Sequence, residues 1–534
     1  MDLILLDARV LTLDRSDTRA EAIAVRDGRI AAIGRVVEIE QLAGPDTTVR
    51  RIAGRAVVPG FVDPHTHFIS SVLEPVSVDC GTPPQDSIAS VLDALAAAAR
   101  VAAPGRWIRG WGFRTRFVRE GRAPTRGELD DAAPHHPVCV VDGSVHCAYV
   151  NSAALRRAGI DRDTPDPPHG RILRDASGEA DGTLWEQAAD RVYTLSTRDH
   201  IAALGDGIVD LIEDAARRHL ALGITSVADA LVVPETEAIY RQADAQGKLP
   251  MVVHQLLGGE AFFERPDRVL RDGATDGNVS DRLRGGTLKL FMDPMFPSAA
   301  RIRFHPDGSE ERFGGRFYTQ DEANEIVLAA HRRGLQVAIH CLGTWSIEQA
   351  LGAVEHALRA RTTEDPRFRI EHFTTPTLDQ IRRARSLGVL PVVQPPYMLM
   401  RAGGGNLAAD LGGDVRLHPY RTMLEEGIPV AGSSDYPCAP LDPLQGVAVL
   451  VTRRGRSGET MGLDEAVSPM DALRMYTLHG AISMRREHEV GSLEPGKRAD
   501  LVVLSDDPTS VSPHAIRDIV VRETWVDGRL VYEG

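Results

Sequence analysis

Five cysteines in 534 residues (80, 139, 147, 341 and 438) form no C-x-x-C pair and are odd in number. That removes a disulfide framework and a zinc ribbon, and suits small buried thiols in a reducing cytoplasm, the expected location. Positive charge is in deficit, 61 basic residues against 75 acidic for a formal net charge of −14. No basic stripe with interleaved aromatics appears, so nucleic acid and anionic membrane are excluded as main partners, leaving a small-molecule substrate. No apolar run approaches the roughly 20 residues of a membrane span. The opening Met1-Asp2-Leu3-Ile4-Leu5-Leu6-Asp7 lacks the basic n-region and long apolar core of a signal peptide. Neither a Gly-x-Gly-x-x-Gly following a strand, nor a Walker loop, nor a Gly-x-Ser-x-Gly elbow is present, which sets aside nucleotide folds and serine hydrolysis. What is there, 43% hydrophobic and 25% charged residues, describes a globular protein of two to four domains or one large barrel with additions.

The most informative stretch is Val57-Val58-Pro59-Gly60-Phe61-Val62-Asp63-Pro64-His65-Thr66-His67-Phe68. An apolar β-rich run leads into two histidines spaced i, i+2, which in an extended strand face one point. Two neutral imidazoles converging at a strand end begin a transition-metal site. Taken alone, the same pair fits two half-exposed histidines in a turn, so the decision rests on the rest of the chain.

Before this stretch, residues 1–56 read as β, with an Asp27-Gly28 hairpin turn between apolar arms. The other end repeats the device in Trp525-Val526-Asp527-Gly528-Arg529-Leu530-Val531, after the short strand Asp500-Leu501-Val502-Val503-Leu504. The two ends (1–56 and 485–534) are expected to pair into one small β-sandwich domain, with 57–484 looped out between them. The alternative is two unrelated hairpins.

In the middle a unit recurs: amphipathic helix, glycine, β-rich run ending in polar residues. It appears around Gly223, Gly334, Gly388 and Gly427, with glycine at the position that accepts the left-handed end of a helix. Helices alternating with short buried strands predict a parallel sheet, and this number of units favours a TIM-like (β/α)8 barrel over an open doubly wound sheet. Such barrels carry their active site at the C-terminal ends of the strands. There the chain has His340, then His372, then Asp435, while Lys289 sits inside the apolar run Gly286–Phe291. A buried lysine is costly unless paired or chemically changed. Individually these are core histidines, a helix cap and a snorkelling lysine. Jointly, the order His-x-His, Lys, His, His, Asp at successive strand ends reads as a metal site.

The combination resembles the amidohydrolase superfamily, in the branch of YtcJ-like proteins and N-substituted formamide deformylases. The residues that carry it are Pro59–His67, Asn151-Ser152-Ala153-Ala154-Leu155, Ala338-Ile339-His340, Glu371-His372, Ala431-Gly432-Ser433-Ser434-Asp435 with Leu441–Leu444, and Gly491–Leu501. The resemblance implies a barrel beside a small composite β-domain. It implies one or two divalent metals per chain, usually zinc, on His65, His67, His340 and His372, with Asp435 as ligand and proton shuttle. In binuclear members a lysine at the position of Lys289 is carboxylated and bridges the metals, and a homodimer is expected by analogy. Relatives commonly carry Asp-Gly after the lysine strand, where this chain has Asp293-Pro294-Met295-Phe296-Pro297. They often carry Gln-Pro-x-His, where it has Gln394-Pro395-Pro396-Tyr397. The pocket lining is therefore expected to be its own.

An inserted subdomain is expected at 74–139, after the first barrel strand. It contains an Ala-rich helix over Ser87–Val101 and the Gly-spaced segment Trp107-Ile108-Arg109-Gly110-Trp111-Gly112-Phe113. Trp111 and Phe113 are candidate substrate contacts, with plain packing the alternative. His146, which resembles a pocket histidine of relatives, is a candidate for binding or polarising a carbonyl. Glu186 and Tyr397 are further pocket candidates. The expected reaction is metal-assisted hydrolysis of a C–N bond in an amide, N-formyl or cyclic amide, with Asp435 acting first as base and then as acid. Ester or lactone hydrolysis, decarboxylation or hydration on the same ligands are the other enzymatic readings. A non-catalytic binding protein on a retired barrel would show lost ligands, and every position is filled.

Overall fold

A computed structural model describes residues 1–81, 83–272, 279–295, 298–400 and 407–534; Phe296 and Pro297 of the distinctive 293–297 segment lie outside the described residues. The predicted helix-ending glycines at 334 and 388 have left-handed φ of +74° and +66°. Each follows a helix, Gln320–Arg332 and Leu378–Ser386, and precedes a buried strand. The strands assemble as one parallel sheet in chain order: β1 (Phe61–Thr66), β2 (Ile224–Val232), β3 (Val252–Leu257), β4 (Leu283–Phe291), β5 (Gln336–Cys341), β6 (Arg369–His372), β7 (Leu390–Val393) and β8 (Ala431–Gly432). Most of their residues are buried on both faces, as expected where helices cover a parallel sheet.

The seam between β8 and β1 closes by other means than a strand ladder. Asp435 N donates to His65 O at 2.8 Å. The buried Asp63 carboxylate accepts from Ser434 N at 3.0 Å and Ser434 Oγ at 2.5 Å. The result is a TIM-like barrel, nearly closed, whose last strand is tied to its first beside the metal-ligand candidates.

Two further sheets flank β1 on its N-terminal side. One has the order Arg29–Gly34, Ala22–Arg26, Leu3–Leu6, Thr48–Arg51; the other has Arg529–Glu533, Val521–Val526, Leu501–Leu504, Ala56–Pro59, Arg9–Leu11, Arg19–Ala20. They share an apolar core in which Leu3, Leu5, Ile23 and Val25 meet Val57, Leu501, Val503 and Trp525. Both Asp-Gly turns have the paired positive φ of a tight hairpin, +52° and +73° at Asp27-Gly28 and +50° and +68° at Asp527-Gly528. The turns also touch each other: a Cβ on Gly28 would lie 3.0 Å from the Asp527 carbonyl oxygen. Deleting residues 495–534 therefore strips the antiparallel partner Leu501–Leu504 from Ala56–Pro59 and leaves an open apolar edge. The expected outcome is insoluble protein; a soluble, active truncation would refute the proposed composite domain.

A third sheet lies between the helices Phe68–Leu73 and Gln187–Leu204, in the order Gly170–Arg174, Ala180–Glu186, Cys147–Val150, Val138–Asp142, Ile108–Phe113, Val78–Asp79. It runs to Glu186, well past the 139 expected from sequence. Val138–Asp142 turns back antiparallel on Cys147–Val150, which in turn pairs with Ala180–Glu186. The predicted helix is present as Ile88–Val101, with the Ser87 side chain capping its N-terminus. Among the described residues no helix is long and apolar enough to cross a membrane.

Candidate metal centre

At the C-terminal end of the barrel the strand-end side chains converge. Asp435 Oδ1 lies 3.4 Å from His65 Nε2 and 3.3 Å from His67 Nε2. The His65 and His372 rings are 5.0 Å apart, and those of His340 and His372 4.4 Å. Ligand atoms of His65, His372 and Asp435 lie within 4.8 Å of one another, as do those of His67, Asp435 and Cys438. All of these residues are buried. His372 and Asp435 also carry positive φ, +72° and +52°, a backbone cost that non-glycine residues bear mainly where the position of the side chain matters.

Two of the rings, His65 and His372, are oriented by neighbours. The buried Arg369 guanidinium donates to Glu371 at 2.8 and 2.9 Å and to the Pro64 carbonyl at 2.7 Å. Glu371 Oε2 is 2.5 Å from His65 Nδ1. Gln394 Oε1 is 2.6 Å from His372 Nδ1. With Nδ1 engaged, Nε2 of each ring is turned to the cavity, the usual way a protein fixes the tautomer of a metal-binding histidine. Burial, reinforced by the charged forms of His372 and Lys289, holds His340 well below its usual value. Burial likewise holds His372 at about 3, so both rings are neutral at pH 7 with a lone pair available. Burial alone would push the Asp435 carboxyl up, but His65 and His67 outweigh it and hold it well below its usual value.

Two buried polar atoms here have no hydrogen-bond partner among the described residues, His340 Nε2 and Asp435 Oδ1. Orphaned buried groups of this kind call for an ion or water, and a set of imidazoles with a carboxylate suits a divalent transition metal. Lys289 is 2% exposed, among the described residues makes no hydrogen bond or ion pair, and has its Nζ 4.8 Å from the Phe291 ring centre. Burial pushes it down to about 8, against the pull of Glu371 and Asp435. It is one of only three lysines among the 61 basic residues.

A profile of the amidohydrolase family matches residues 52–532. The chain belongs to the amidohydrolase family. It is 38% identical to the N-substituted formamide deformylase of Arthrobacter pascens over its full length and 98% of the relative. It is 27% identical to the putative amidohydrolase YtcJ of Bacillus subtilis, covering 98% of each. An uncharacterized metal-dependent hydrolase from Pyrococcus horikoshii shares its fold, with TM-score 0.72 at 23% identity, over 96% of this chain and 99% of that one.

Around the centre of this amidohydrolase the other predicted residues are distributed unevenly. His146 borders the same cavity, its ring 5.6 Å from that of His340. Glu186 stands behind it, 2.7 Å from His146 Nδ1, and also accepts from Met295 N at 3.2 Å. Glu186 is thus placed to orient His146 and does not border the cavity itself. Tyr397 does border it, and its hydroxyl donates to Asp435 Oδ2, a link that the sequence does not announce.

Phe113 is corrected, and Trp111 stands apart from the histidines. Neither borders the cavity of the histidines. Phe113 is wholly buried against Tyr149 in the core of the third sheet, and Trp111 packs 6.5 Å from the Tyr436 ring. A register shift between Gly110 and Phe113, with Gly112 at φ +78°, moves Phe113 to the opposite face from the one that alternation gives it. Asp293, in the segment that departs from relatives, accepts from Leu342 N, Gly343 N and Ser346 Oγ at 3.0, 3.0 and 2.7 Å, so it ties down the loop that follows β5. Cys438 was not anticipated at the site. Only its distance of three residues from Asp435 would have pointed to it.

Proposed function

We propose that this amidohydrolase cleaves the C–N bond of an amide, with N-substituted formamides as the first substrates to try. The observation that carries the reading is the convergence of His65, His67, His340, His372 and Asp435 on one cavity, with two of their polar atoms left unpartnered. The end-to-end likeness to a formamide deformylase supports starting with the N-formyl class.

His65, His67, His340, His372 and Asp435 would hold the metal, with zinc proposed on the nitrogen-rich donor set and carboxylated Lys289 as the bridge if two ions bind. A divalent ion there supplies a water acidified to near neutral pH and polarises the scissile carbonyl. Asp435 would accept a proton from the attacking water and return it to the leaving amine; Tyr397, donating to Oδ2, keeps Oδ1 directed at His65 and His67. His146, braced by Glu186, would donate to the carbonyl oxygen from its remaining ring nitrogen when both ring nitrogens carry a proton. The Arg369–Glu371 pair holds His65 in place.

The test is release of formate and amine from a panel of N-substituted formamides, run beside esters and lactones. Chelation is expected to lower the rate at least ~10²-fold, the scale of a lost catalytic group, and added zinc to restore it. Hydrolysis of esters alone, or full activity in metal-free protein, overturns the reading.

A further inference from the structure

A second pocket opens from the metal centre between the barrel mouth and the third sheet. It shares His67, Val145 and Phe262 with the cavity of the histidines, so the two spaces adjoin across these side chains. The Phe262 ring stands 5.4 Å from that of His67 and forms part of the partition. Beyond it the walls are mostly apolar, with Leu73 from the helix after β1 and Leu231 from β2. Into this wall the third sheet sends Arg109.

The strand Ile108–Phe113 explains why. Ile108 and Gly110 face the sheet's own core, where a Cβ on Gly110 would meet Cys80 Sγ at 2.6 Å. Arg109 therefore faces the barrel. Its charge has no counterpart there. Among the described residues Nε is buried without a partner, and the one hydrogen bond of the side chain is a long contact of 3.4 Å from Nη1 to Ser77 Oγ. Among the described residues no carboxylate lies in ion-pair reach of Arg109. The acid in the pocket wall, Glu235, is engaged by Arg198, whose Nε donates to it at 2.6 Å. A guanidinium lining an apolar pocket without an anion is unfavourable in the free protein, and its fork of donors matches a carboxylate.

We propose that this pocket is the subsite for a carboxylate carried by the substrate, bound by Arg109 at the far end of an apolar spacer whose amide lies at the metal centre. The inference rests on the amide-hydrolase reading for the identity of the reacting end. It narrows the substrate class to N-acyl or N-formyl compounds bearing an acid on an aliphatic or aromatic tail, and makes Arg109 a specificity residue.

The test compares N-formyl ω-amino acids of increasing chain length with their neutral carboxamide isosteres, on metal-loaded enzyme. For the best-fitting length the acid is expected to exceed its isostere at least ~10-fold in kcat/KM. Arg109→Met should lower kcat/KM for the acid by about 10- to 100-fold, the range of a charge-assisted hydrogen bond. That loss should appear mainly in KM, with the isostere little changed and Arg109→Lys recovering part of the difference. Equal turnover of acid and isostere by the wild type overturns the proposal. So does an equal loss on both in the variant, which would mark Arg109 as merely structural. Should no amide of either kind be turned over, the amide-hydrolase reading fails, and binding of hexanoate against hexanamide decides the subsite separately. Hexanoate held on the metal survives Arg109→Met, whereas hexanoate held by Arg109 does not. If Arg109→Met does not fold, Arg109→Gln is read in its place.

Discussion

Lys289→Ala is expected to lose metal and activity together. Lys289 is buried, unpaired among the described residues and pushed down to about 8 by desolvation, so roughly a tenth of the amine is neutral at pH 7, far more than for an ordinary lysine. A neutral amine adds to CO₂, its nitrogen bonding the carbon and releasing a proton, and the product is an anionic two-oxygen donor. Such a donor can bridge two ions roughly 3.5–4 Å apart, the spacing of two-metal hydrolases, whereas an ammonium beside the same ions would be repelled. Metal content and kcat/KM are measured on the same preparation. Short carboxylic acids or bicarbonate are expected to restore part of both by filling the vacated bridge. Retention of the full metal complement in Lys289→Ala, or one ion per fully reconstituted wild-type chain, would sink the binuclear proposal and leave a single ion on histidines and Asp435.

Asp435→Asn separates the proton shuttle from the ligand set. The amide keeps the shape of the carboxylate and the contact with Tyr397, but cannot accept a proton. The expected result is a fall in kcat of at least ~10²-fold, the scale of a missing general base, with most metal retained. Near-normal turnover in a metal-loaded variant moves the shuttle elsewhere. His146 is then the next candidate, since its ring lies 5.6 Å from that of His340 and its Nδ1 is already committed to Glu186.

The barrel and the strand-end side chains were legible because both follow from local rules. Period-two facing puts His65 and His67 on one side, a glycine ends several of the helices, and a barrel gathers its strand ends at one mouth whatever lies between them. What escaped depends on neighbours that no local rule supplies. The Glu371–His65 contact spans 306 residues of sequence and the Tyr397–Asp435 contact 38. The pocket face of the 107–113 strand was misjudged at Phe113 because a single irregularity reverses the alternation. The same strand's contribution to a pocket proved to be its arginine. Lys289 carried a signal of another kind: in a chain that uses arginine for nearly all its positive charge, a lysine in an apolar strand stands out by residue type alone.

The strand Ala56–Pro59 leads through Gly60 directly into β1, and Gly60 N is itself held by the Asp500 carbonyl at 2.9 Å. On the ribosome this has a timing consequence. The partner Leu501–Leu504 that completes the pairing of Ala56–Pro59 is made some 440 residues after it. At ordinary synthesis rates the wait is roughly 20 to 90 seconds. Throughout that interval the histidines of β1 hang from a strand with one open edge, and the long-range pairing that anchors it is slow to form once it can. Any ion capture that needs β1 held in its final place would wait for that pairing.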